Sequence, residues 1–318
     1  MSLPSRCGCA RPPISRKASR RWPSAAFRFS PIAEPAQATN KTQGRGHPPM
    51  AVRVEKNGSV WTVIHDRPEA RNAMDPASAD ALTAAFLEFD ADKTASVAVF
   101  YGAGGAFCAG WDLKYVSSLD AAHPLGELDI PTAGPRGNGG EIPRGPLGPS
   151  RLELDKPVIA AIEGPAVAGG MELGLWCDFR VMAEESYFGV YCRRWGVPLI
   201  DGGTVRLPRL IGTSRAMDMI LTGRAVDAAE AAAIGLANRV APAGQALVAA
   251  QELAAQLASF PQVCLRSDRA SVLDQEGLDE TAALAAEFAH GQAALRAEAA
   301  SGAARFAAGA GRHGSFGS

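Results

Sequence analysis

Two glycine-rich passages, each placed just after an apolar run, are where this sequence of 318 residues could bring bare backbone against a ligand. The first runs from Gly102 through Gly104, Gly105, Phe107, Cys108 and Gly110 to Trp111, Asp112 and Leu113. A dinucleotide-binding turn would need a third glycine where Phe107 stands and an unbroken helix where Gly110 falls, so that reading fails. A sharp turn that carries the main-chain N–H of Trp111 into a pocket fits better. The second passage leads from an apolar strand through Gly164 and Pro165 to Gly169-Gly170 and then a helix start. Glycine admits a ligand to the backbone with no Cβ in the way, and a helix start presents unpaired N–H groups carrying partial positive charge. Such a site suits an oxyanion, such as the enolate of a thioester, and each donor contributes roughly 3 kcal/mol to such chemistry.

Other chemistries find little support. The five histidines form no metal-binding pair, and neither a His-Glu-x-x-His nor a Gly-x-Ser-x-Gly motif occurs, so no metal is expected. The six cysteines are scattered, without ligand spacing, in a chain too large to need disulfide staples, which fits a reducing, cytoplasmic compartment. Cys192, in Tyr191-Cys192-Arg193-Arg194-Trp195, has no histidine near it in sequence and reads as a nucleophile less well than as an inert thiol.

These residues need elements to hold them. Residues 1–49 are rich in Arg, Ser and Pro with one acidic residue, and are expected to be disordered, as a mitochondrial transit peptide or as a stretch ahead of a working start at Met50. Nine Lys and Arg lie in the first fifty residues against the single Glu34, so the remainder of a chain of net charge −1 is acidic. An acidic body disfavours nucleic acid, and no apolar stretch is long enough to be read as a membrane span. Residues 52–64 read as a hairpin about Asn57-Gly58. Asp75-Pro76 reads as the cap of a helix burying Ala81, Leu82, Ala85, Phe86 and Phe89. Strands are expected over 97–101, 158–162 and 179–182, with a short helix over 170–176. Residues 115–156 read as a long mobile loop. From 224 the chain is Ala-rich, with Asp227 a cap and long helices around 246–259 and 278–307. Strands alternating with helices imply an α/β class.

With these residues in view, the pairing of Gly-Ala-Gly-Gly-Ala-Phe-Cys-Ala-Gly-Trp-Asp-Leu with Gly-Pro-Ala-Val-Ala-Gly-Gly-Met-Glu-Leu resembles the two signature segments of the crotonase (enoyl-CoA hydratase/isomerase) superfamily. Arg67-Pro68, Ala70-Arg71-Asn72-Ala73, Phe188-Gly189, Gly202-Gly203-Thr204 and Ile234-Gly235-Leu236 resemble its further landmarks, over about residues 50–312. The resemblance implies a ββα spiral of stacked βαβ units over 50–223, a helical C-terminal subdomain over 224–318, and a homotrimer or hexamer. It implies an oxyanion hole from the amides of Trp111 and Gly169, and coenzyme A, part of the substrate rather than a cofactor, held near Arg71, Ala73, Ala109 and Lys114. Glu172 matches the first catalytic glutamate of family hydratases. Their second glutamate, four residues after Phe-Gly, is here Cys192, a thiol with a reference pKa near 8.5 and a poor substitute for a carboxylate. Asp201 resembles the position at which some dienoyl-CoA isomerases and chlorobenzoyl-CoA dehalogenases carry a functional aspartate. Hydration of a 2-enoyl-CoA is the expected reaction; double-bond isomerisation and non-catalytic acyl-CoA binding stay open beside it.

Overall fold

The computed structural model describes residues 51–120, 122 and 145–311, and the expectations for residues 1–49 and for most of the 115–156 loop fall outside them. The hairpin forms as expected: β1 (Val52–Asn57) pairs antiparallel with β2 (Val60–His65) around Gly58, whose φ of 58° suits the tight turn that Asn-Gly favours. β3 (Val97–Gly102), β4 (Val158–Ile162), β6 (Phe179–Ala183) and β9 (Arg239–Ala241) then add in parallel, giving a sheet of order β1-β2-β3-β4-β6-β9. A second sheet has order β5-β7-β8, from Pro165–Val167, Tyr187–Gly189 and Ala225–Asp227.

The central strands are apolar throughout because both their faces are covered. Ala98, Phe100, Val158, Ala160 and Ile162 point into a large core with Phe86 and Phe89 of α1 (Pro76–Ala91), while Val97, Val99, Ile159 and Ala161 point the other way, against Ala250, Leu253 and Ala254 of α7 (Ala246–Ala258). Asp75 caps α1 by accepting from Ser78 N at 2.8 Å, with Pro76 at the first position. Of the residues expected on its inner face, Leu82, Ala85, Phe86 and Phe89 are buried and Ala81 is half-buried.

Three further helices frame the site: α2 (Leu113–Val116), α3 (Gly169–Trp176) and α4 (Gly203–Ile211). α5 (Thr213–Thr222) follows, then α6 (Ala228–Ala233), capped by Asp227 through Glu230 N at 2.8 Å. The last helices are α8 (Gln262–Asp274), α9 (Glu280–Ala294) and α10 (Ala300–Ala307). The long helix expected over 278–307 forms as α9 and α10, which a π-helical turn, Leu295–Ala299, joins without a break, and Asp279 caps its start. β8 and β9 lie beyond residue 224, so the helical C-terminal region also contributes an edge strand to each sheet. Among the described residues no helix is long and apolar enough to cross a membrane.

Candidate active site

The two glycine-rich passages are sewn together main chain to main chain. Cys108 N donates to Pro165 O at 3.2 Å and Val167 N to Cys108 O at 3.0 Å, a short parallel bridge between the turn after β3 and the strand β5. A Cβ on Gly170 would lie 2.0 Å from Cys108 O, so only glycine permits this approach. Two residues beyond the bridged pair Cys108 and Ala166, the chain adopts conformations that L side chains rarely take: Gly110 at φ 85°, and Ala168 at φ 53° and ψ −122°. The Ala168 geometry costs about 1–3 kcal/mol and persists because its N–H is fixed on Gly189 O at 2.7 Å.

Those two turns leave a pair of main-chain donors without acceptors. Asp112 N donates to Met74 O at 2.8 Å, but among the described residues the N–H groups of Trp111 and Gly169 have no acceptor. The passages touch at this point, since a Cβ on Gly110 would stand 3.0 Å from Gly169 N. Both residues line one cavity of about 170 Å³, walled by Ala109, Leu113, Leu147, Tyr191, Trp195, Val197, Pro198 and Ile200, and reached by Glu172, Cys192 and Asp201. A single water needs only about 10–15 Å³, so an acyl segment and a water fit together.

Glu172, in the first turn of α3, is 2% exposed. Its Oε1 accepts from Asp201 N at 2.9 Å and Gly203 N at 2.8 Å, the donors of the turn that opens α4, which leaves Oε2 for the cavity. Burial, then the charge of Asp201, push its pKa up to about 8 against the pull of those two N–H groups. Asp201, also 2% exposed, accepts on Oδ1 from Leu147 N at 3.0 Å and from the hydroxyl of Ser150. Burial raises its pKa too, opposed by Ser150, Leu147, Arg151 and Arg206. Cys192 is a buried neutral thiol, its pKa raised by burial and then by Glu172.

Of the residues singled out in the sequence, Ala109, Trp111, Gly169, Glu172 and Asp201 thus meet around one cavity, whereas Arg71, Ala73 and Lys114 are not on its wall. Arg71 (φ 52°) and Lys114 are exposed, and Arg71 O accepts from Ala109 N at 3.0 Å. Ala73 is buried with both main-chain groups engaged, its N–H on Ala70 O and its carbonyl on Arg67. Asn72 locks this segment to the first glycine-rich turn by donating to Ala103 O at 2.8 Å and Ala106 O at 2.6 Å. Sequence reasoning missed Ser150 and Arg206, which hold the carboxyl pair. Ser150 lies in a Pro/Gly-rich stretch without periodicity, and only the amphipathic pattern of 203–211 could have pointed to Arg206.

The profile of the family "Enoyl-CoA hydratase/isomerase" matches residues 55–125 and 150–307, spanning both glycine-rich passages and both carboxylates. The chain belongs to that family. Its similarity to an enoyl-CoA hydratase of Mycobacterium tuberculosis, EchA19, is 35% identity over 237 residues, covering 72% of this chain and 83% of the relative. It is 38% identical over 210 residues to a carnitinyl-CoA dehydratase of Salmonella typhi, covering 65% of this chain and 74% of the relative. The crystal structure of enoyl-CoA hydratase EchA1 from Mycobacterium marinum superimposes with a TM-score of 0.72 at 32% identity, over 81% of this chain and 96% of the other. The enoyl-CoA hydratase/isomerase fold is therefore the frame in which the cavity stands, with α3 aimed at it by its N-terminus.

Proposed function

We propose that this protein reversibly adds water to a 2-enoyl-CoA thioester. The reading is carried by one juxtaposition: two main-chain N–H groups without acceptors, of Trp111 and Gly169, open on the same cavity as two buried carboxyl groups. Water oxygen bonds to C3, the π electrons pass through C2 to the thioester oxygen, and the two N–H groups hold that oxyanion. Two buried carboxyls that repel one another, as the charge of Asp201 does Glu172, share one proton near neutral pH. Each carboxyl accepts two hydrogen bonds on one oxygen and each is raised by burial, but the charge of Asp201 also raises Glu172, which keeps the shared proton on Glu172 and leaves Asp201 ionised. Asp201 accordingly takes the proton from water, Glu172 delivers its own from Oε2 to C2, and proton exchange within the pair resets the site. Coenzyme A enters as part of the substrate, its polar end near the exposed Arg71 and Lys114, with Ala73 and Ala109 shaping the path.

A second reading has a specific observation behind it: Cys192 stands where family hydratases carry their other glutamate. Isomerisation needs one proton moved within the substrate and no activated water, so Glu172 alone would suffice. Glu172→Gln and Asp201→Asn separate the readings. Hydration requires both, each variant losing about 10²–10⁴-fold in kcat, with acyl-CoA binding retained. Full activity in Asp201→Asn contradicts the two-carboxyl scheme, and undiminished activity in Glu172→Gln contradicts both. A homotrimer or hexamer is proposed with it, supported by exposed apolar side chains on α8 to α10, among them Val272, Leu284, Phe288 and Phe306.

A further inference from the structure

The carboxyl pair is backed by the cation of Arg206, which makes no hydrogen bond to either carboxylate. Arg206 is the fourth residue of α4, and helical side chains lean toward the N-terminus of their helix. Its guanidinium folds back over Gly202, donating from Nη1 to Asp201 O at 3.0 Å and from Nη2 to Ser150 O at 2.8 Å. Gly202 makes room for it, since a Cβ there would lie 2.2 Å from Nη1, and its φ of 101° turns the chain so that Asp201 N and Gly203 N both face Glu172 Oε1.

We propose that Arg206 is a positioning residue for the acid/base pair: by spanning the carbonyls of Asp201 and Ser150 it sets both the amide that holds Glu172 and the hydroxyl that holds Asp201. This rests on the reading of Glu172 and Asp201 as the proton-handling groups. The two bonds made by the planar fork fix the spacing of the cavity walls, because Ser150 belongs to the segment carrying Pro146 and Leu147, and Asp201 to the one carrying Pro198 and Ile200. The cation also favours the ionised forms of both carboxyls. The titratable and charged groups facing them are few: Asp201, Cys192 and Arg206 about Glu172, Cys108 and Arg151 about Asp201, and Cys177 and Arg151 about Arg206 itself. Burial of Arg206 costs a charge its solvation, which two carbonyl acceptors repay only in part.

The test uses the full chain and two variants, Arg206→Met and Arg206→Lys, read by isotope-edited infrared titration of the Glu172 carboxyl, assigned by its absence in Glu172→Gln, and by turnover. Arg206→Met is expected to raise the Glu172 midpoint by about half a pH unit or more. Arg206→Lys keeps the charge and loses the fork, so its midpoint stays near that of the parent while kcat falls at least about tenfold with KM little changed. An unmoved midpoint in folded Arg206→Met, or full kcat in Arg206→Lys, overturns the proposal, and the lysine variant decides alone should the methionine variant not fold. Failure of the parent chain to hydrate an enoyl-CoA would overturn the functional reading instead, while the infrared midpoints still report on Arg206.

Discussion

At the scale of the residue, Glu172 is the side chain on which function and stability pull apart. Its folded pKa, pushed up to about 8 by burial, lies above the ordinary glutamate value. Between those two pH values the folded state binds more protons than the unfolded one, so its contribution to stability is present at low pH and is lost as pH rises toward and past 8. Gln keeps an oxygen for Asp201 N and Gly203 N and carries no charge. Glu172→Gln is therefore expected to be more stable than the parent at pH 8 by roughly 2–5 kcal/mol, a gain that shrinks toward pH 5. Denaturant melts at the two pH values check this, and equal gains at both would contradict it. The same residue gives a sign for activity: hydration falls as pH climbs through about 8, because the proton bound for C2 leaves Glu172.

At the scale of the element, the site depends on how closely two turns approach. Gly110 holds φ 85°, and a Cβ on it would meet Ala168 Cβ at 2.9 Å and Gly169 N at 3.0 Å. Gly110→Ala should destabilise the fold by about 1–3 kcal/mol and lower kcat by more than KM changes, because it parts the two donors. Kinetics at a temperature where the variant stays folded are the check. Much of this was legible in the sequence: the glycine pattern named both turns, and Asp75-Pro76, Asn57-Gly58 and Asp227 marked the ends of elements through local chemistry. The rest was not legible, for physical reasons. β5, β7, β8 and β9 are three residues each, too short for a period to register. α8 has no buried residue, and its half-buried positions include Arg266, Ser267, Arg269 and Ser271, so no apolar stripe marks its inner face. Ser150 meets Asp201 across fifty-one positions, a contact that only tertiary packing creates.

At the scale of the whole molecule, the sheet and its two cores are complete within one chain, but α8 to α10 leave large apolar side chains uncovered, Phe288 at 65% and Phe306 at 66% exposure. The proposed homo-oligomer would cover them. Phe288→Glu with Phe306→Glu should lower the mass measured by light scattering toward that of a single chain, and an unchanged mass would place the interface elsewhere. The proposed hydration is tested by the mass of the product formed when the purified chain meets a 2-enoyl-CoA while the conjugated enoyl absorbance is followed. Loss of that absorbance with the gain of one water is the expected result, abolished in Glu172→Gln. A product of unchanged mass with a shifted double bond, or bound thioester recovered intact, would contradict it.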